Sequence, residues 1–140
     1  MSIIEIMVPA GTYVLNDPCY AFPYEKGLDD EWQNLLQFEE SAIQHTSTGH
    51  LVLAFSTLYG DGIYDFDGGC ICVDSGLIGL VDIEWYKLHN LDFSDQFIIT
   101  CDEAFECSVD TKTGEMLFGS IYINTGYDDN SNNDDNKDAQ

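Results

Sequence analysis

Tyr59-Gly60-Asp61-Gly62-Ile63-Tyr64-Asp65-Phe66-Asp67-Gly68-Gly69-Cys70-Ile71-Cys72-Val73 is the stretch whose reading decides the fold class. Short runs of β-branched and aromatic residues flank Asp67-Gly68-Gly69, and an Asp-Gly pair between two such runs is a strong hairpin signal. Residues 63–66 therefore read as a strand, Asp67-Gly68-Gly69 as a tight turn, and residues 70–73 as the return. Asp61-Gly62 reads as a turn or bulge ahead of them.

The strand and turn alternation continues outward in both directions. Toward the C-terminus, residues 77–85 read as a long apolar strand that can curl near Tyr86-Lys87, followed by strands over 97–101, 104–109 and 116–123. Asp110-Thr111-Lys112-Thr113-Gly114 joins the last two. Toward the N-terminus, residues 51–57 read as a buried strand. The first segment, residues 3–8, is apolar and β-branched. Pro9-Ala10-Gly11 breaks it before residues 12–15 resume, and Asn16-Asp17-Pro18 stops the second run. Asp17 precedes proline and is biased to extended backbone, with a side chain able to close a local turn.

Between these strands lies one helical pattern, residues 29–43, where Leu28, Trp32, Leu35, Leu36 and Ile43 fall near one face. Asp29, Asp30 and Glu31 suit its positive first turn. The prediction is a mainly β, β-rich α+β fold: an antiparallel sandwich or partly open barrel of about eight strands with one amphipathic helix.

A chain of 140 residues, 44% of them hydrophobic, can bury a core as a single domain, here expected over 1–126. Residues 127–140 shift to Asp, Asn and Ser and are expected to be a disordered acidic tail. No run approaches the roughly 18 apolar residues of a membrane span, and Met1-Ser2-Ile3-Ile4-Glu5 lacks the basic start of a signal peptide. The expected location is the cytoplasm. Five cysteines at irregular spacing (Cys19, Cys70, Cys72, Cys101, Cys107) match neither a redox pair nor zinc knuckles, so they read as reduced core residues.

Charge excludes more than any motif does. The chain has 26 acidic residues, four lysines (Lys26, Lys87, Lys112, Lys137) and no arginine, for a net charge of −22. Only five of the acids follow Tyr127, which leaves 21 against three lysines in the expected domain. Such a field repels nucleic acid and anionic membranes, and like charge at this density opposes folding. The partner it fits is cationic.

Nucleophilic catalysis requires a base beside a Ser or Cys, and His45, His50 and His89 stand in no recognisable motif. Carboxylate pairs carry no information in a chain so rich in acids. No phosphate-binding glycine motif occurs, so no enzyme activity and no cofactor are expected. The 61–67 loop, with Asp61, Asp65 and Asp67, has part of the logic of a calcium loop. Its acids are wrongly spaced for an EF-hand and β-structure flanks them, so turn chemistry is the simpler reading and no metal site is assigned.

Asp17-Pro18-Cys19-Tyr20, with Trp32, Tyr59-Gly60-Asp61-Gly62-Ile63-Tyr64 and Val73-Asp74-Ser75-Gly76-Leu77-Ile78-Gly79, resembles a family of small phage and bacterial proteins of unassigned activity. Asn16 stands where that family has glycine and Ser75 where it has alanine. The resemblance implies a phage or bacterial setting and a compact fold, and it carries over no catalytic residues.

Together these readings predict an acidic inhibitor, a DNA mimic or counter-defence protein occupying a basic, nucleic-acid-binding surface of a partner protein. An immunity protein against a basic toxin, or a calcium-dependent binding module built on the 61–67 loop, is the alternative. The acids expected to bind are Asp29, Asp30, Glu31, Glu39 and Glu40 on the helix and Asp61, Asp65 and Asp67 on the hairpin. Oligomeric state is not predicted.

Overall fold

The computed structural model describes residues 3–35 and 41–126. The fold is β-rich with antiparallel sheets and no closed barrel. Strands β1 (Ile3–Val8), β9 (Phe105–Asp110), β10 (Glu115–Phe118) and β11 (Ile121–Asn124) form a four-stranded sheet in the order β1-β9-β10-β11. Strands β2 (Gly11–Asn16), β3 (Ile43–His45), β4 (Leu51–Ser56), β7 (Leu77–Asp82) and β8 (Phe97–Cys101) form a five-stranded sheet in the order β3-β4-β7-β2-β8. The decisive stretch is the hairpin of β5 (Gly62–Phe66) and β6 (Gly69–Val73), closed by Asp67-Gly68 where Phe66 faces Gly69.

Alternation along the five-stranded sheet separates two cores, because successive side chains point to opposite faces. Leu15, Leu53, Phe55, Ile78 and Leu80 face the four-stranded sheet and the hairpin, meeting Val8, Cys107, Met116, Phe118, Ile123, Tyr64 and Ile71. Val14, Val52 and Val81 point the other way, onto Phe22, Leu28, Leu35, Trp85 and Tyr86. The second layer comes from 3-10 turns at Pro18–Ala21 and Tyr24–Lys26 and from helices α1 (Asp29–Asn34) and α2 (Ile83–Leu88). Trp85, 1% exposed, anchors it by donating its indole N–H to the Ala21 carbonyl at 2.7 Å.

Four sequence expectations change. The single helix over 29–43 is cut to six residues, with Leu35 as its C-cap. Ile43 instead pairs with Leu53 as part of β3. A helix continued that far would put Glu39 and Glu40 against the negative end of its dipole, and a β-branched residue gains more as a strand partner. The long strand over 77–85 stops at Asp82, whose carboxylate caps α2 by accepting from the Glu84 N–H at 2.9 Å. The strand over 116–123 is two strands folded at Gly119-Ser120, where Gly119 takes the left-handed φ of 65° that glycine supplies without strain. Cys70 and Cys72, expected in the core, are exposed because their neighbours Ile71 and Val73 occupy the core face; Cys107 alone of the five is buried. Among the described residues, no helix is long and apolar enough to cross a membrane.

Candidate functional site

The predicted acids fall in separate layers. Asp29, Asp30 and Glu31 lie in the short α1, on the helical side of the five-stranded sheet, while Asp61, Asp65 and Asp67 belong to the hairpin on the opposite side. Glu31 is also engaged within the fold, accepting from the Ser47 N–H at 3.2 Å and from its hydroxyl. Glu39 and Glu40 lie outside the described residues. Asp61 sits beside Gly76, whereas Asp65 and Asp67 border a shallow groove of about 330 Å³ with Phe66, Tyr122 and Asn124. Among the described residues no three His, Cys, Asp or Glu side chains are placed to hold a metal ion.

The hairpin acids adjoin a surface that the sequence reading missed, the outer face of the four-stranded sheet. Registers place Ile3 opposite Asp110, Glu5 opposite Ser108 and Met7 opposite Glu106; Ser108 is opposite Leu117, and Leu117 opposite Tyr122. One transverse row therefore runs Glu5, Ser108, Leu117, Tyr122. Ile3, Met7, Leu117 and Tyr122 are between 43% and 58% exposed, and Glu5, Glu106 and Glu115 are exposed around them. A second groove of about 220 Å³, lined by Ile3, Ser108, Asp110, Glu115, Leu117 and Tyr122, shares Tyr122 with the first. The result is a continuous face with an apolar floor and an acidic border from Asp65 and Asp67 to Glu5.

Local chemistry keeps part of that border charged and fixed. Glu115 accepts from the Tyr122 hydroxyl at 2.6 Å and from the Thr113 hydroxyl at 2.9 Å, and these bonds, Tyr122 first, hold its carboxyl below the usual range. Asp110 accepts from the Lys112 and Thr113 N–H groups and shapes the β9–β10 turn. Lys112 is in that turn; Lys26 and Lys87 belong to the helical layer. The missed acids had a legible signal. Glu5 alternates with Ile4 and Ile6, Glu106 with Phe105 and Cys107, and Glu115 precedes Met116, the period-two pattern of a sheet wet on one face.

A second constellation is built for architecture. Asp17, fully buried, receives four hydrogen bonds: Cys19 N–H (2.9 Å), Asp74 N–H (2.7 Å), Ser75 N–H (2.8 Å) and the Ser75 hydroxyl (2.6 Å). The Tyr20 hydroxyl donates to Asp74. Two segments far apart in sequence, Asp17-Pro18-Cys19-Tyr20 and Val73-Asp74-Ser75-Gly76, are thus bonded to each other. Burial, and then the adjacent Asp17 carboxylate, push the Cys19 thiol up to about 12, which keeps it protonated and unsuited to attack.

Beside this cluster is a groove of about 390 Å³ whose polar lining includes Asn16, Cys70, Cys72, Asp95 and Gln96, with no histidine. His50 and His89 instead pack on Trp85 in the helical layer. No histidine lines this groove, and the outer sheet face is the stronger candidate. The chain matches no protein-family model, no curated protein and no solved structure.

Proposed function

We propose that this protein is a binding inhibitor that occupies a basic, nucleic-acid-binding surface of another protein, using the outer face of its four-stranded sheet and the neighbouring hairpin acids. The observation that carries the reading is the pairing of exposed Ile3, Met7, Leu117 and Tyr122 with Glu5, Glu106, Asp110, Glu115, Asp65 and Asp67 on one face. Apolar contacts at the centre of an interface supply affinity, while surrounding charges steer encounter and fix orientation. The net charge of −22 extends that steering to the whole molecule. An immunity role against a basic toxin uses the same face, and gene context separates the two.

The test is capture from host lysate at low salt, release by a salt gradient and identification by mass spectrometry. Expected is one nucleic-acid-binding protein, competed by DNA, whose capture falls roughly ten-fold or more with Glu5→Lys combined with Glu106→Lys. Both residues are exposed, so the folded state should survive the change. Recovery of many basic proteins in proportion to abundance would reduce the charge to a solvated surface. Unchanged capture by the double variant would remove the sheet face from the reading.

A further inference from the structure

We propose that the partner docks at the open edge of β1, adding an extended segment with alternating apolar and basic residues as a fifth strand of the four-stranded sheet. The inference rests on the basic-partner reading above and deepens it by assigning the mode of contact. β1 ends the order β1-β9-β10-β11, and among the described residues it pairs only with β9. An edge strand directs every second N–H and C=O outward, where another chain can bond to them. The opposite edge differs, because β11 lies beside β5 of the hairpin.

Side-chain exposure points to the same place. A covered strand buries every second residue, yet Ile3, Glu5 and the intervening Ile4 are all exposed in sequence. Ile4 faces inward opposite Val109 and is 45% exposed, while Val109 is 3% exposed. Next to Ile4 is a largely apolar groove of about 230 Å³, lined also by Ala42, Ala54, Phe55, Ser56, Val109 and Thr111. It is open to a side chain from an incoming strand on the core side. On the outer side such a strand would run along Ile3, Glu5 and Met7, with Asp110 and Glu106 one strand further in.

Charge decides the occupant. β1 contains no Lys, Pro or bulge, the usual protections of an edge, and its single charge is Glu5. A second copy would bring Glu5 and a net charge of −22 against their like. A segment with valine or leucine facing the groove and lysine or arginine facing Glu5 meets both sides of the edge, the mode in which main-chain bonds give affinity and alternate side chains give specificity.

The probe is an acetylated, amidated peptide alternating lysine and valine, mixed with the full chain at about 150 mM salt so that diffuse attraction is screened. The control is the same peptide N-methylated at alternate residues, with equal charge but one bonding edge blocked. Amide exchange is followed with and without each peptide. Expected are fast exchange of the outward β1 amides in the free protein, their protection by the first peptide, and binding roughly ten-fold weaker for the methylated control and for Glu5→Lys. Equal binding of the control, protection confined to other elements, or β1 amides already protected without peptide would overturn the proposal. If β1 stays unprotected while the lysate partner is still lost in the Glu5→Lys, Glu106→Lys variant, only the strand-addition mode fails. If the peptide protects β1 but no specific basic partner is recovered, the edge stands and the inhibitor reading fails.

Discussion

Asp17 takes a carboxylate out of water, satisfying it with three N–H groups and one hydroxyl. Hydrogen bonds to a buried charge are strong, and donors left behind by its removal are costly. Asp17→Ala should therefore destabilise the protein by about 3–5 kcal/mol in urea denaturation, against less than about 1 kcal/mol for Asp74→Asn at an exposed site. Cysteines divide in the same local way. Burial is the leading cause that raises Cys19 and Cys107 from 9.0 to about 12. Their folded values exceed the unfolded ones, so the stability they contribute is complete below pH about 9 and is lost as pH rises toward about 12. Iodoacetamide at mildly alkaline pH should label the exposed Cys70 and Cys72 and spare Cys19 and Cys107 until the chain unfolds, as counted by mass spectrometry. The sequence marked Asp17 as a turn residue before proline. It held no sign of partners 57 and 58 positions away, because that meeting is made by the β6–β7 turn and by no local propensity.

Among the elements, strands were easier to read than helices. β1, β5, β6 and β8 follow from β-branched alternation and Asp-Gly punctuation, signals contained within each segment. The helix expected over 29–43 was read too long because its apolar spacing suits either a helix or a strand, and pairing of Ile43 with Leu53 settled its far end from outside the segment. α2 was readable in principle: Asp82 as cap, Glu84 in the first turn and Lys87 in the last, where Glu84 and Lys87 lie 3.3 Å apart. The candidate face divides similarly, since Asp65 and Asp67 were named from their turn while Glu5, Glu106 and Glu115 required knowing which strands adjoin. Gly79 shows how closely the central strands approach. A Cβ there would collide with the Leu53 carbonyl and Ala54 Cα, so Gly79→Ala must displace β4 from β7. The expected outcome is a fall in Tm of about 10 °C or more, or loss of soluble protein, measured by thermal denaturation of the purified variant.

At the scale of the molecule, exposed carboxylates surround both cores, and among the described residues Lys87 pairs with Glu84. Repulsion among like charges weakens the folded state and is screened by salt. Raising KCl from about 50 to about 500 mM should increase Tm by a few degrees, and calcium chloride at matched ionic strength should add nothing further. An added calcium-specific rise in a thermal-shift assay would restore the loop around Asp61 and Asp67 as a cation site. The Asp17 staple also has a consequence in time. It joins the end of β2 to the β6–β7 turn across more than fifty residues, so an entire stretch of chain, including β4 and the hairpin, must be gathered before its hydrogen bonds can form. A contact of that span belongs late in folding. Its loss should appear mainly as faster unfolding, with the rate of folding nearly unchanged, making Asp17 a latch on the finished structure that takes little part in building it.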